Sequence, residues 1–214
     1  EAPTGDWLIL RMGTTSTGAT NYTGGAGEGL EADKLNPAAL KLQFESWFLE
    51  HRRQAGEALF DRVVSVFHSD SWEAESQNWS PRLPEAFARR HGYDLRSFLP
   101  LYAGLPLESV RKSEEVLYDL RQTIAEGVNA AYFDTLRDLG HEYGCQFSSE
   151  SVAPTFVSDN LRHNGTVDLP MGEFWLHSPT HDKPFDMRDA VSGAHIHGKR
   201  IIQAEAYTQL RILW

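Results

Sequence analysis

The sequence predicts an α/β fold, and within that class part of a (β/α)8 barrel with parallel strands. Three observations lead there. Strand-like apolar runs alternate with segments of helical period along the 214 residues, as in successive β-α-β units. Four of the runs finish on a glutamate: Glu73 in "VVSVFHSDSWEAE", Glu150 in "GCQFSSES", Glu173 in "VDLPMGEFW" and Glu205 in "RIIQAEAYT". Acids at the carboxyl ends of successive parallel strands suit a barrel, whose active site lies at that face. No G-x-G-x-x-G follows a strand, so a dinucleotide fold has no positive support. A full barrel takes ~250 residues. About five of eight strands are visible here, so residues 1–214 read as part of one catalytic domain.

Residues 7–12 read as the first strand, and a polar Thr/Gly loop without phosphate-loop spacing follows. Pro37 suits a first helical turn, and Leu40, Phe44, Trp47 and Phe48 follow at helical spacing. Residues 63–67 form the second strand, a continuous apolar run expected when both faces are covered. "SPRLPEAFARRHGYD" holds a short helix closed by Gly92, and "RSFLPLYAGLP" is a loop with a helical turn. A long helix runs over about residues 113–139. Leu117, Leu120, Ile124, Val128 and Ala131 make its buried stripe, and Gly140 and Gly144 mark its end. Residues 145–149 are the third strand, and 167–175 contain the fourth. "DMRDAVSGAHIHG" is a helix ending at Gly198, and residues 200–205 are the fifth strand.

Composition removes several function classes. The chain is 41% hydrophobic and 11% aromatic, which is globular rather than disordered. A net charge of -10 argues against nucleic acid, whose phosphates demand clustered cations. No apolar run is long enough to span a bilayer. A single cysteine, Cys145, excludes an internal disulfide framework and a multi-cysteine zinc site. The chain opens without an initiator Met or a signal-peptide pattern and stops on Trp214, so it reads as an internal piece of something longer. Asn21, Asn78 and Asn164 match the glycosylation sequon, a pattern too common by chance to inform.

The acids suggest a chemistry. Glycoside hydrolysis commonly uses two carboxylates flanking the scissile bond, and Glu73, Glu150, Glu173 and Glu205 are the candidates. Trp72, Trp79, Phe174, Trp175 and Tyr207 lie beside them. Sugars stack on such rings, and apolar surface raises a carboxyl pKa. A lone glutamate at a strand end is usually a solvated loop residue; four in register across a parallel sheet fit that description less well. Asp70, three before Glu73, suits a metal, a sugar hydroxyl or a cap. A hard cation such as calcium prefers several oxygen ligands. His195 and His197 form an H-x-H pair near a helix end, where i and i+2 diverge. That favours a rim or packing role for His195 over a zinc site.

In order along the chain stand "LRMGTTSTG", "GEGLEADKL", "SDSWEAESQNWS", "RRHGYD", "DLPMGEFW" and "AHIHGKRIIQAEAYT". Together they resemble glycoside hydrolase family 106, the α-L-rhamnosidases, over nearly the whole chain. The resemblance implies a multidomain bacterial enzyme, periplasmic or extracellular, with a (β/α)8 catalytic domain. It implies inverting removal of terminal α-L-rhamnose from plant glycans or glycosides, with calcium at the site. By motif, Glu73 corresponds to the general acid, Glu205 to the general base, and Glu173 to a calcium ligand. Asp70, Trp72, Trp79, Glu150, Trp175, His195 and Tyr207 are the expected substrate-binding set. Glu73 and Glu205 then end strands three apart, so they face each other across the barrel mouth. That suits an inverting enzyme, whose carboxyls stand roughly 6.5–9.5 Å apart. Two positions depart from the family: Glu75, where glycine is usual, and His197, where an aromatic is usual. The rival readings are a retaining glycosidase with Glu150 or Glu173 as partner, and a non-catalytic sugar-binding remnant.

Overall fold

The structure is a computed structural model and describes residues 4–20, 27–72, 77–150, 157–176 and 184–208. Its sheet has four parallel strands: β1 (Val66–Ser69), β2 (Gln146–Glu150), β3 (Leu169–Trp175) and β4 (Gln203–Thr208). Their spatial order is β1-β2-β3-β4. Each strand lies beside its sequence neighbour, joined through helices. This is the winding of a barrel rather than of a doubly wound sheet, whose order reverses at a switch point.

Two expectations about the strands need correction. Residues 7–12 form no strand; Trp7, Leu8 and Ile9 are 59%, 71% and 89% exposed. Their apolar, β-prone sequence finds no ladder among the described residues, and strand propensity counts only when a neighbouring strand is present to pair. The second expected strand also begins too early. Helix α3 (Glu57–Val63) takes its first residue, and the strand starts at Val66. Similarly, Ile201 and Ile202 precede β4 rather than opening it.

The preceding helices are α1 (Pro37–Phe44) and α2 (Glu50–Ala55), joined by a π turn over Glu45–Leu49. Pro37 stands in the first turn of α1, and Asn36 caps it by accepting from the Ala38 N–H at 3.1 Å, which satisfies an otherwise unpaired helix donor. Leu40, Phe44 and Phe48 are buried, whereas Trp47 is exposed; the wider π turn breaks the 3.6-residue stripe there. Helix α4 (Leu83–His91) closes on Gly92, as the sequence predicts, with that glycine in the left-handed region. The segment expected as loop is a 3-10 helix, Leu95–Ala103, capped by Asp94. The long helix is α5 (Val110–Val128), a π turn (Asn129–Phe133) and α6 (Asp134–Glu142) in succession. Val116, Leu120, Val128 and Ala131 are among its buried residues, continued by Phe133, Leu136 and Leu139, with Leu117 and Ile124 on the flanks of the stripe.

The core lies between these helices and one face of the sheet. Phe67 and Phe147 stack at 5.6 Å between ring centres, and Phe44 and Phe48 meet Phe67 edge-on. Side chains alternate along a strand. With Phe67 and Phe147 turned to the helices, His68, Ser148 and Glu150 turn the other way. Beyond β2 come α7 (Asn160–Thr166) and α8 (Pro184–Ile196). Gly172 lets α8 approach β3: a Cβ there would stand 2.8 Å from the Asp186 carbonyl oxygen.

His163 on α7 carries a measurable consequence. It is fully buried, its ring centre lies 4.2 Å from that of Phe133, and neither ring nitrogen has a hydrogen-bond partner. Burial, with a smaller push from Lys199, brings its pKa down from 6.5 to about 3. The fold keeps His163 neutral, while the unfolded chain protonates it below 6.5. Its contribution is therefore complete above that pH and is lost as the pH falls toward 3. Urea unfolding at pH 7 and pH 4 should show the wild type losing about 3 kcal/mol more than His163→Phe. Equal losses would contradict this. Beside it, Asn164 is fully buried against Gly193, so its sequon is inaccessible in this fold.

Candidate active site

The sheet face turned away from the helices carries the polar row. Ser69 pairs with Ser149, which sets Asp70 beside Glu150; Glu150 pairs with Met171; Glu173 pairs with Glu205. One layer below, His68 Nδ1 lies 3.1 Å from Ser148 Oγ, and that hydroxyl donates to Gln203 Oε1. These bonds tie β1, β2 and β4 together under the acids.

Asp70, Glu150 and Glu205 converge, with one carboxylate oxygen from each within 4.8 Å of the others. Glu150 is buried, and its Oε1 has no hydrogen-bond partner. Burial, then the charges of Asp70, Glu205 and Glu173, push its pKa up from 4.5 to about 8. Losing a proton here would place an unsolvated charge among like charges. Glu173 is also buried, and its Oε1 accepts from the Trp175 indole N–H. Glu205 is half-buried, and its Oε1 accepts from Thr208 Oγ1 at 2.6 Å. The β3–β4 register shifts between Phe174 and Trp175, and Tyr207 sits at φ 63. Such an irregularity re-aims side chains, and here it accompanies the return of Thr208 to the side of Glu205.

A hard cation fits this set. Three carboxylates supply oxygen donors, one buried oxygen lacks any partner, and the clustered negative charge needs an offset. Zinc does not fit: among the described residues no histidine joins a group able to hold a metal. His195 is exposed in the last turn of α8, the turn that leads into the start of β4. It lies at the opposite end of the strands from the acids, because a helix returning between parallel strands ends beside their amino termini. The His197 ring packs against Gly165, so the H-x-H pair does not converge.

The aromatic candidates divide. Trp72 is a packed residue, edge-on to Tyr132 at 5.3 Å with the Lys34 ammonium 5.4 Å from its ring centre. Trp79 is half-buried, edge-on to Tyr102 at 6.0 Å. Trp175 is half-buried and tied to Glu173, and Tyr207 is exposed, edge-on to Phe174 at 5.0 Å. Glu73, Glu75 and Asn21 lie outside the described residues. Reading acids at strand ends missed Ser148, Gln203 and Thr208. The i, i+2 relation pointing from Glu150 back to Ser148, and from Glu205 back to Gln203, was the available signal.

A profile describing the alpha-L-rhamnosidases of glycoside hydrolase family 106 matches residues 1–214. The chain belongs to glycoside hydrolase family 106. A rhamnosidase structure from Novosphingobium sp. PP1Y superposes with a TM-score of 0.81 at 28% identity, covering 92% of this chain and 19% of that one. A Formosa agariphila protein, provisionally named a beta-glucuronidase, is 35% identical over 210 residues, which are 97% of this chain and 18% of its own length. This family 106 chain therefore spans about a fifth of each of these relatives. Its clustered acids sit at the carboxyl ends of parallel strands, the functional face of a barrel.

Proposed function

We propose that the full-length protein removes terminal α-L-rhamnose from plant glycans or glycosides, with inversion and with calcium at the site. The observation that carries this reading is the convergence of Asp70, Glu150 and Glu205 at the carboxyl ends of β1, β2 and β4. Glu73 gives its proton to the leaving oxygen. Glu205 takes a proton from the attacking water on the opposite face of the sugar. Thr208 donates to Glu205 Oε1, which orients the carboxylate that would take that proton. Asp70 and Glu150, with Glu173 on the next strand, would hold calcium. When bound, calcium supplies the positive charge that orients sugar hydroxyls and offsets the acids. Trp175 fixes the Glu173 carboxylate, and Trp79 and Tyr207 belong to the proposed surroundings of the substrate. The resemblance also supports a bacterial source and a periplasmic or extracellular site.

A second reading has one observation in its favour. Glu150 holds a proton up to about pH 8 and lies beside Glu205, as an acid and a nucleophile would in a retaining enzyme, where carboxyls stand about 5–5.5 Å apart.

The test is release of nitrophenol from para-nitrophenyl α-L-rhamnoside by the full-length protein, with calcium and with chelator. Calcium-dependent release is expected. Failure on this and on natural rhamnosides, in either condition, would overturn the proposal.

A further inference from the structure

The three acids that meet at one point come from strands that are not all neighbours. Asp70 follows β1, Glu150 closes β2 and Glu205 lies on β4, with β3 between the last two. Backbone ladders hold neighbouring strands ~4.8 Å apart. Strands two apart are held to no such distance, and in a flat sheet they would stand roughly 9–10 Å apart. One oxygen from each acid nevertheless lies within 4.8 Å of the others. Their meeting therefore depends on how far the sheet curls between β2 and β4.

A side-chain bond spans that gap one layer below the acids. Ser148 Oγ, on β2, donates to Gln203 Oε1, on β4. The bond crosses β3 at the level of Leu169, the partner of Ser148, and Met171, the partner of Gln203. The same hydroxyl lies 3.1 Å from His68 Nδ1 on β1. A hydroxyl has one proton to give. With that proton on Gln203, the His68 Nδ1–H is the donor to Ser148. Each member of this chain stands two residues before one of the acids: His68 before Asp70, Ser148 before Glu150, Gln203 before Glu205. Residues i and i+2 share a face of a strand, so the chain repeats the acid cluster one layer down. From the other face, Ser69 Oγ meets Tyr132 OH at 3.0 Å, which ties the end of β1 to the helices.

The acids have few anchors of their own. Asp70 Oδ1 accepts from the adjacent Ser71 N–H at 2.8 Å, and Glu150 Oε1 has no partner. Ser148 is buried at the centre of the chain, with its hydroxyl engaged on both sides.

We propose that Ser148 is the positioning residue of the cation site: by fixing the curl between β2 and β4 it sets the spacing of Asp70, Glu150 and Glu205, and with it a preference for calcium over magnesium. The proposal rests on the calcium reading above. Calcium takes about 6–8 oxygen ligands and draws on all three acids at once, whereas magnesium keeps several waters and binds through one or two carboxylates. The spacing of three acids therefore matters more to calcium.

Calorimetric titration of the cation-stripped full-length protein with calcium, and separately with magnesium, tests it. The binding that belongs to this site is the part absent from Glu150→Gln. Ser148→Ala should weaken calcium there by about 10–100-fold, the range for a lost supporting partner, and magnesium by less than about threefold. Ser148→Thr, which keeps the hydroxyl, should stay within a few-fold of wild type. Gln203→Met keeps the side-chain length without its acceptor and leaves the buried β2 position untouched; it should move calcium in the same direction as Ser148→Ala. Thermal unfolding with chelator confirms that each variant is folded. Unchanged calcium affinity in Ser148→Ala and Gln203→Met, equal falls for the two cations, or a Ser148→Thr as weak as Ser148→Ala would overturn the role of Ser148 and leave the calcium reading standing. A wild type that binds calcium no better than Glu150→Gln would overturn the calcium reading, and this proposal with it.

Discussion

Glu205→Gln in the full-length protein is expected to lower kcat on an α-L-rhamnoside by about 10²–10⁴, the range of a lost general base. The amide has the shape of the carboxylate and keeps an oxygen for the Thr208 hydroxyl, so β4 should retain its register with β3. What it loses is the capacity to take a proton from water. The attacking group would then be neutral water throughout the step, and the loss belongs in kcat rather than KM. Initial rates across substrate concentration, with thermal unfolding to confirm the fold, check this. A variant within a few-fold of wild type would remove Glu205 from the chemistry.

Glu150→Gln is expected to stabilise the cation-free protein at pH 8 while removing its response to calcium. The Glu150 pKa is raised from 4.5 to about 8. The fold thus holds a proton that the unfolded chain releases above 4.5. Its stability contribution is present below 4.5 and is lost as pH rises to 8. A glutamine has no proton to lose. Urea unfolding with chelator should therefore find the variant more stable than wild type by roughly 2 kcal/mol at pH 8, once solvent screening is allowed for, and unchanged at pH 4. With calcium the order should reverse, because a cation that binds only the folded wild type adds to its stability. Calcium affinity should also rise between pH 6 and pH 8, since binding must displace the Glu150 proton. A variant that is less stable at pH 8, or that binds calcium as wild type does, would contradict this account of the cluster.

Much of this arrangement was legible in the sequence because barrel strands are short apolar runs that end at their functional face. "GCQFSSES" and "MGEFW" gave β2 and β3 almost to the residue, with Glu150 and Glu173 on them. Residues 7–12 carry the same apolar signal without a strand, because pairing is a tertiary event that a single run does not encode. Val63 belongs to a helix for a related reason: Val and Phe serve both element types, and the run length did not arbitrate. His195 was misplaced in function by nearness in sequence. It stands ten residues before Glu205, yet the return from α8 into β4 puts it at the other end of the strand. Thr208 was hidden by the irregularity at Tyr207, which strict alternation does not anticipate. The raised pKa of Glu150 was not legible at all, since it depends first on burial and then on carboxylates contributed from three other points in the chain.

In the proposed mechanism Glu73 as general acid and Glu205 as general base invert the anomeric carbon. Proton NMR of the first sugar released by the full-length protein from para-nitrophenyl α-L-rhamnoside tests it most directly. The β anomer should appear first, with the α anomer growing in only as mutarotation proceeds. The α anomer first would contradict the claim and would favour Glu150 and Glu205 as an adjacent, retaining pair.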